Sequence, residues 1–433
     1  MGAIDQIRAA ALPLRGAGDL DPVVERIGRA RFVLLGEATH GTSEFYRWRA
    51  ELTRRLVAER DFSFVAVEGD WPDCHAVHRS VVGVPGAPDD PREPLLAFAR
   101  WPTWMWANEE VVEFVRWLRQ HNETRPPEHR VGFHGLDVYS LWDSLHAVLD
   151  YLRDNAPEHL DAAMAAYRCF EPYGEDPQAY ARAAGFTPAR CERQVVELLL
   201  DLRAHRAGDD TGEWGARFVA EQNARIVAGA ERYYRAMMRG GAESWNVRDH
   251  HMVDTLDHLA QYYGDTAKGV VWEHNTHVGD ARATDMAPAG MVNVGQLVRE
   301  SHSTEDVVIV GFGTYSGTVI ASERWGGPVR RMRVPEARRG SLEAHLHQAN
   351  PDSDALFVFP DNPWATDWLC DLFDHRAIGV VYDPERELVR NYVPTVLGKR
   401  YDAFVHCDRS NALHPLHGME PAEGEKETYP TGV

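Results

Sequence analysis

The sequence predicts an α/β fold: a mostly parallel sheet flanked by helices, with a large all-helical insertion. Two observations predict it. Short apolar runs typical of buried strands alternate with amphipathic helical segments near both ends of the 433 residues. In the middle, long amphipathic segments follow one another with hardly a strand pattern between them. We therefore expect residues 1–140 to form the first part of the α/β core, 141–265 a helical insertion that forms a cleft wall, and 266–433 the second part of the core.

Composition limits the class of function. A net charge of -20 argues against a broad nucleic-acid or anionic-membrane surface, because such partners require clustered Lys and Arg. Residues 1–14 lack the apolar core of a signal peptide and no later segment approaches a membrane span, so we expect a cytoplasmic protein. The cysteines are odd in number and scattered, which predicts buried thiols with neither a disulfide framework nor a thiolate zinc site: Cys74, Cys169, Cys191, Cys370 and Cys407.

The first part of the core is predicted as three strands, two of them followed directly by a helix. Residues 32–35 form a buried strand that ends in the segment containing Glu37 and His40, and a helix capped by Ser43 follows to about Arg60. A second strand at 62–67 ends at Glu68 and leads to a helix near Asp73. After a loop rich in Gly, Pro and Asp, a helix at 108–121 precedes the third strand at 130–135.

Three tryptophans, Trp101, Trp104 and Trp106, lie just before the helix at 108–121. They could line an apolar pocket, but large aromatic side chains are mostly core residues, so packing of this loop on the core is the favoured interpretation.

The insertion and the second part of the core follow. Helices are predicted at 141–155, 191–205, 216–238 and 246–263, and strands at 269–272, 307–310, 355–358, 378–381 and 403–406. The tail from 418 to 433 is polar and is predicted to be irregular.

Titratable side chains follow several of the predicted strands. They are Glu37 and His40 after the first strand, Glu68 after the second, His134 and Asp137 at the third, and Glu273, His274 and His277 after the strand at 269–272. One such residue alone is more often a helix cap or a satisfied polar group. Because parallel strands bring their carboxyl ends to one edge of a sheet, the repetition predicts an acid-and-histidine cluster there.

Two arginines also point to this cluster. Arg49 lies along the apolar stripe of the first helix, where a buried guanidinium needs a carboxylate such as Glu37 or Glu68. Arg248 would lie in the first turn of a helix capped by Asn246, an unfavourable place for a cation. Its partner is then either an anionic or carbonyl-bearing ligand or an acid of the α/β core.

The motifs narrow the chemistry. The chain has no Gly-x-Ser-x-Gly and no Walker motif, and the glycine-rich run 311–317 leads into a predicted strand instead of a helix. Without an evident nucleophile, Glu and His can activate water as a general base, and ester hydrolysis fits that inventory. Two alternatives stay open: a zinc or manganese hydrolase that uses His274, His277, Glu37, Glu68 and His40, and a ligand-sequestering protein without turnover.

Four motifs together resemble the erythromycin esterase family. They are Gly36-Glu37-Ala38-Thr39-His40-Gly41 with Arg49, Val67-Glu68-Gly69, Asn246-Val-Arg248-Asp249-x-x-Met252, and Glu273-His274-Asn275-Thr276-His277. Their order and spacing match that family, and the likeness extends from about residue 25 to the ending Glu427-Thr-Tyr-Pro430.

This resemblance implies an α/β core with a helical insertion and hydrolysis of a macrolide lactone ester without a metal or another cofactor. His40 would be the general base, with Glu37 and Glu68 orienting or sharing its proton. His274 and His277 would stabilise the oxyanion or leaving group, and Arg49 and Arg248 would bind substrate. The expected partners are a small ester and water; the role could be in antibiotic resistance or in biosynthesis. The sequence does not set the oligomeric state.

Overall fold

A computed structural model describes residues 2–173, 177–184, 191–204, 215–362 and 366–418. The strands are β1 (Leu12–Pro13), β2 (Phe32–Leu35), β3 (Phe64–Asp70), β4 (Gly132–Asp137), β5 (Gly269–Trp272), β6 (Val307–Ser322), β7 (Val329–Val334), β8 (Ala355–Val358), β9 (Leu372–Arg376), β10 (Tyr392–Val396) and β11 (Ala403–Ser410).

Nine of these strands form one sheet. Its order is β1-β8-β11-β6-β2-β5-β3-β4, with β7 paired to β6, while β9 and β10 form a separate antiparallel hairpin. The neighbours from β11 to β4 are all parallel, and β1, β7 and β8 pair antiparallel. The predicted mostly parallel sheet is confirmed.

Helices cover both faces of the sheet and fill the middle of the sequence. They are α1 (Ala3–Ala10), α2 (Asp21–Ile27), α3 (Ser43–Arg60), α4 (Trp71–Val81), α5 (Arg92–Leu96), α6 (Glu109–Glu123), α7 (Leu141–Asn155), α8 (Leu160–Phe170), α9 (Pro177–Ala184), α10 (Glu192–Ala204), α11 (Ala216–Met237), α12 (Ala242–Tyr263), α13 (Asn275–Val278), α14 (Val294–Ser301), α15 (Leu342–Ala349), α16 (Asp367–Cys370), α17 (Glu387–Arg390) and α18 (Leu397–Arg400). None of the helices in the described part of the chain combines the length and the apolar character that crossing a bilayer requires.

The apolar run of β2 is explained by burial on both faces. Val33 and Leu35 lie in one core with residues of α3 and α6, and Phe32 and Leu34 lie in a second core with residues of α12 and α15. Successive side chains of a strand point to opposite faces, so a strand between two helical layers must be apolar throughout.

A third apolar cluster is formed by α7, α8, α9, α10 and α11, all in the region predicted as a helical insertion. The last helix of that region, α12, differs because its residues Met252 and Leu256 belong to the core beneath the sheet. Thus α12 is anchored on the sheet and presents its residues to the sheet's edge. The division of the chain into three parts remains a prediction.

The prediction that all the cysteines are thiols is wrong. Cys169, near the end of α8, forms a disulfide with Cys191, which directly precedes α10. Helix packing brings these residues together across 22 positions of sequence, and spacing alone could not reveal this. Cys74, Cys370 and Cys407 are free. Disulfides are rare in the cytosol, so this pair does not favour the cytoplasmic prediction.

Other details of the prediction are corrected or confirmed. Residues 378–381 do not form a strand; Ile378 and Val381 make only isolated bridges, while the hairpin of β9 and β10 surrounds them in sequence. Ser43 is the first residue of α3 and does not cap it, because its hydroxyl donates to Glu110. The tryptophans at 101, 104 and 106 belong to the core as expected. The predicted tail falls almost wholly outside the described residues.

Candidate active site

Four neighbouring strands carry the predicted cluster to one edge of the sheet. β2, β5, β3 and β4 are adjacent and parallel, so their carboxyl ends lie side by side. Side chains pack tightly against the backbone here: a Cβ atom on Gly36 would lie 2.1 Å from the side-chain oxygen Asn275 Oδ1, so glycine fits after β2 and a larger residue would clash. The segments after β2 and β5 are joined by a hydrogen bond of 2.8 Å from Asn275 N to Glu37 O.

Glu37 links two of the predicted residues directly. One of its carboxylate oxygens lies 2.9 Å from His40 Nδ1, and the other accepts a hydrogen bond of 2.8 Å from Arg49 Nη2. Glu37 is 1% exposed and Arg49 is fully buried, with its guanidinium 4.2 Å from the centre of the Tyr46 ring. A guanidinium in this position fixes the carboxylate that orients His40.

His40 is the more exposed member of this pair, with 9% of its side chain accessible. Its Nδ1 is held by Glu37, so Nδ1–H donates in the neutral ring and Nε2 carries the lone pair. Within the described residues, no group makes a hydrogen bond with that second nitrogen. His40 therefore has the arrangement that a general base requires.

His274 packs beside His40, with the ring centres 4.8 Å apart. It caps α13: its Nδ1 accepts from the backbone N–H of Thr276 and lies 2.8 Å from that residue's hydroxyl. Burial, aided by the neighbouring His40, lowers the pKa of His274 well below its usual value, so the ring is neutral. Its Nε2 is buried and makes no hydrogen bond of ordinary geometry among the described residues, although the backbone of Ala38 interacts with the ring and opposes the lowering of its pKa.

Glu68 and Arg248 form the centre of a second network. The Arg248 guanidinium donates to Glu68 at 2.9 Å and to both oxygens of Asp137, at 3.0 and 2.6 Å. The other oxygen of Glu68 accepts from the backbone N–H of His274 at 2.9 Å. Burial raises the pKa of Glu68, but the charges of His277, Arg248 and His40 outweigh it and hold the pKa well below its usual range.

His277 pairs with Asp249 in the same network. Its Nδ1 lies 2.9 Å from Asp249, and its Nε2 lies 3.0 Å from an Arg248 nitrogen and 3.4 Å from Glu68. Burial lowers the pKa of His277, but the carboxylates of Asp249 and Glu68 reverse this effect and raise it above its usual value. Both ring nitrogens of His277 are therefore occupied by protein groups.

Of the two kinds of partner left open for Arg248, the structure places acids of the α/β core against the guanidinium, with His277 at its remaining nitrogen. The residue is 6% exposed. Its role in binding substrate stays a prediction. The prediction that Arg248 lies in the first turn of its helix is wrong, because α12 begins at Ala242 and Arg248 lies in its second turn. Asn246 does not cap the helix, because its side chain binds Gly290 O and Val292 N.

One predicted residue lies elsewhere and several were missed. His134 is stacked on Trp71 and bonded to Tyr263, away from this edge of the sheet. Asp249 follows Arg248 in one of the family-like motifs, but it was not predicted as a site residue. Glu273 is fully buried, and neither of its oxygens has a partner within the described residues. Burial and the charges of Glu68 and Asp249 raise its pKa well above the usual value.

The donor geometry bears on the alternative of a metal centre. Across the described residues, no three or more His, Cys, Asp or Glu side chains are grouped so that they could hold a metal ion. At this edge of the sheet the reason is visible, because Arg49 and Arg248 occupy the carboxylates of Glu37 and Glu68. A cation would have to displace an arginine from either acid.

Two cavities lie near the cluster. A narrow one of about 40 Å³ is lined by Glu68, Asp137, Arg100, Trp101 and Trp106, among others. A larger one of about 800 Å³ lies between α11 and α12 and is lined on α12 by Asn246, His250 and Asp254. None of Glu37, His40, Glu68, Arg248, His274 and His277 lines the larger cavity, so it does not contain the cluster.

Comparison with known proteins gives a consistent result. A family model described as Erythromycin esterase matches residues 57–410 of the chain. Among curated proteins, a putative hydrolase, YbfO, from Bacillus subtilis (strain 168) is 22% identical over 407 residues, covering 87% of this chain and 82% of the relative. Erythromycin esterase type II from Escherichia coli is 22% identical over 367 residues, covering 78% and 83%.

A solved structure matches over almost the full length. It is a mutant of an erythromycin esterase, EreC, in its open conformation, with a TM-score of 0.65, 17% sequence identity, and coverage of 92% of this chain and 95% of that one. At this identity the likeness supports the fold alone.

Proposed function

The chain belongs to the erythromycin esterase family, and from that premise we propose that it is a hydrolase that cleaves a carboxylic ester by activating a water molecule. The observation that carries the proposal is the unequal use of the two nitrogens of His40. Nδ1 is bound to a buried carboxylate, and Nε2 has no partner within the described residues. A neutral imidazole held in this way accepts a proton at Nε2.

His40 acts first in the proposed mechanism. A water molecule that donates a hydrogen bond to Nε2 loses its proton as its oxygen attacks the ester carbonyl carbon. Glu37 keeps the proton of the ring on Nδ1 and stabilises the imidazolium that forms, because it lies 2.9 Å from that nitrogen. Arg49 holds Glu37 in place from the other side and, being fully buried, is a positioning residue in our proposal and does not bind substrate.

His274 is proposed to stabilise the oxyanion. Its Nδ1 accepts a hydrogen bond from Thr276, so the neutral ring carries its proton on Nε2, which makes no hydrogen bond of ordinary geometry among the described residues. The ring lies 4.8 Å from that of His40, close enough for both to act on one carbonyl group. A preorganised donor of this kind is worth about 2.7–4 kcal/mol of barrier where it has been removed from other enzymes.

Glu68, Arg248 and His277 are assigned a supporting role. Glu68 accepts from the backbone N–H of His274 and so fixes the residue that would bind the oxyanion. Arg248 and His277 hold Glu68 in turn. On collapse of the tetrahedral intermediate, the proton on His40 passes to the leaving alkoxide, which releases an acid and an alcohol.

A macrolide lactone is the specific ester that we propose as substrate. The support is the family and the name of the Escherichia coli relative. Opening a lactone adds one water to the substrate, so mass spectrometry detects it directly. Incubation with a panel of macrolides and of simpler esters tests both levels of the proposal, because hydrolysis of the simpler esters alone would retain the reaction and reject the macrolide.

Three outcomes would overturn the mechanism. Hydrolysis by the His40→Ala variant at the rate of the unaltered protein would remove His40 as the base. Activity that is lost on chelation and restored by a divalent metal would favour the metal-dependent alternative. Tight binding of a macrolide or another ester without formation of any hydrolysis product would instead indicate a sequestering protein.

A further inference from the structure

We propose that a cavity between α4, α7 and α11 binds a small organic anion, a carboxylate or a phosphate ester, with Arg79 as its counter-charge. This cavity, which we name the α4 cavity, has a volume of about 210 Å³, and its polar lining consists of His75, His78, Arg79, Tyr151 and Asn223. No residue of the proposed reaction lines it. The inference therefore concerns a second site and does not depend on ester hydrolysis.

The charge of Arg79 is not neutralised by an acid. Arg79 lies in the last turn of α4 and forms no ion pair within the described residues. The arginines of α6, which packs against α4, are paired with acids: Arg116 with Asp90 and Arg119 with Glu123. The negative end of α4 favours a cation at this place, but it is equivalent to only about half a charge and does not neutralise the guanidinium. Arg79 can therefore bind an anion from outside.

The surroundings of Arg79 are free of carboxylates. None of the described residues that line the α4 cavity is an acid. Burial, reinforced by the charge of Arg79, lowers the pKa of His75 to about 4. Burial also lowers the pKa of His78 well below its usual value, with contributions from His134, His75 and Arg79. A nearby carboxylate would have raised both pKa values, so the positive charge of the cavity is uncompensated, which favours an anion.

His75 offers the ligand a hydrogen-bond donor. Its ring is neutral at pH 7 and carries one N–H. Within the described residues, Nδ1 is buried without a partner and Nε2 makes no hydrogen bond, while the half-buried ring lines the cavity. Stacking fixes the ring, since Trp71 lies parallel to it at 6.2 Å and His78 nearly parallel at 5.7 Å. A fixed donor beside a guanidinium is a preorganised place for a carboxylate or phosphate oxygen.

The rest of the lining limits the size of the ligand. It is apolar and made of small side chains: Val84, Ala147, Ala216, Val219 and Ala220. The volume of about 210 Å³ is below the range of about 300–1,000 Å³ that is usual for sites of drug-sized molecules. The geometry therefore fits one small ring or a short chain that carries a single anionic group.

The test is isothermal titration of the full chain with benzoate and with phenyl phosphate, at pH 7 and constant ionic strength. Benzyl alcohol is the uncharged counterpart. We expect at least one of the two anions to bind and the alcohol to bind more weakly, and the comparison of the anions distinguishes a carboxylate ligand from a phosphate ester. Arg79→Gln should weaken binding by about tenfold, as expected for the loss of a hydrogen bond to a charged group. The matched control is Arg47→Gln, which removes an exposed arginine of α3 outside the cavity.

A second variant tests the place of binding. Ala147→Leu retains Arg79 and fills part of the cavity from the α7 side, so it should also weaken binding by about tenfold or more. An anion held only at the surface beside Arg79 would bind this variant normally. Thermal unfolding of the three variants checks that they fold.

The outcomes separate this inference from the proposed reaction. The α4 cavity would be rejected as an anion site if neither anion bound the unaltered protein or if benzyl alcohol bound as well as the anions. Equal affinities of Arg79→Gln and Arg47→Gln, or an unchanged affinity of Ala147→Leu, would reject it too. The His40→Ala variant should bind the anion as well as the unaltered protein, whatever its hydrolytic activity.

Discussion

Two carboxylate–histidine pairs lie within the same cluster and differ in how their second nitrogen is used. In Glu37–His40 and in Asp249–His277, an acid lies 2.9 Å from Nδ1. Nε2 of His277 faces Arg248 and Glu68, whereas Nε2 of His40 has no partner within the described residues. The His277 side chain is 3% exposed and that of His40 is 9% exposed.

An acid beside a histidine therefore does not by itself identify a general base. A third buried pair, Glu343–His375, has its acid 2.6 Å from Nδ1 and its Nε2 3.2 Å from the side-chain nitrogen of Asn275. What distinguishes His40 is the nitrogen that the protein leaves unused, because only such a nitrogen can accept a proton from water. We therefore propose a chemical role for His40 and a structural role for His277.

The largest expected effect is a loss of catalysis when His40, the histidine with the unused nitrogen, is removed. His40→Ala should lower kcat/KM for the best ester by about 10²- to 10⁴-fold, the usual contribution of a general base. The melting temperature should change little, because His40 has a single side-chain hydrogen-bond partner, Glu37, in the described structure. Steady-state kinetics together with thermal unfolding measure both. A loss of activity that merely follows a loss of stability would contradict the assignment.

Removing Arg49, the cation that holds Glu37 in place, should lower the free energy of unfolding. Arg49→Met leaves the carboxylate, which is 1% exposed, without its cation, and breaking a buried pair in this way costs about 3–5 kcal/mol. Urea unfolding measures the change. The matched control on the same helix is Arg54→Met, whose ion pairs lie at the surface and are worth about 0–1 kcal/mol. Equal effects of the two variants would show that Arg49 is not a buried support.

Disrupting the Asp249–His277 pair should lower the free energy of unfolding by less than removing Arg49 does. Asp249→Ala removes the acceptor of His277 Nδ1 and of the backbone N–H of Val294, both buried, and should lower the free energy of unfolding by about 1–3 kcal/mol. Urea unfolding is again the measurement, with Asp257→Ala as the control because its pair with His302 is partly exposed. An unchanged stability would mean that this second pair does not hold the structure together.

The smallest effect is a pH dependence of stability. The carboxylates of Asp249 and Glu68 overcome the effect of burial and raise the pKa of His277 in the folded state. Protonation of His277 then stabilises the fold fully below its unfolded pKa of about 6.5, and this contribution is lost as pH rises through the folded pKa. The stability difference between the unaltered protein and His277→Gln should therefore shrink with rising pH. A difference independent of pH would refute this.

Much of the candidate site could be predicted because strand ends can be recognised in sequence. Apolar runs located β2, β3, β4 and β5 to within a few residues, and the polar residues after parallel strands must share one edge of the sheet. That reasoning identified Glu37, His40, Glu68, His274 and His277, which the structure brings together. It also included His134, which points into the core because adjacent strand residues face opposite sides.

The sequence by itself thus determined the type of sheet, the edge at which the polar residues gather and the family. The tertiary structure alone decided which acid serves which histidine. Arg248 meets Asp137 and Glu68 from 111 and 180 residues away, and Cys169 meets Cys191 across 22. The physical reason is that strand propensity acts over a few neighbouring residues, whereas hydrogen bonds and ion pairs form only where packing brings distant side chains within about 3 Å.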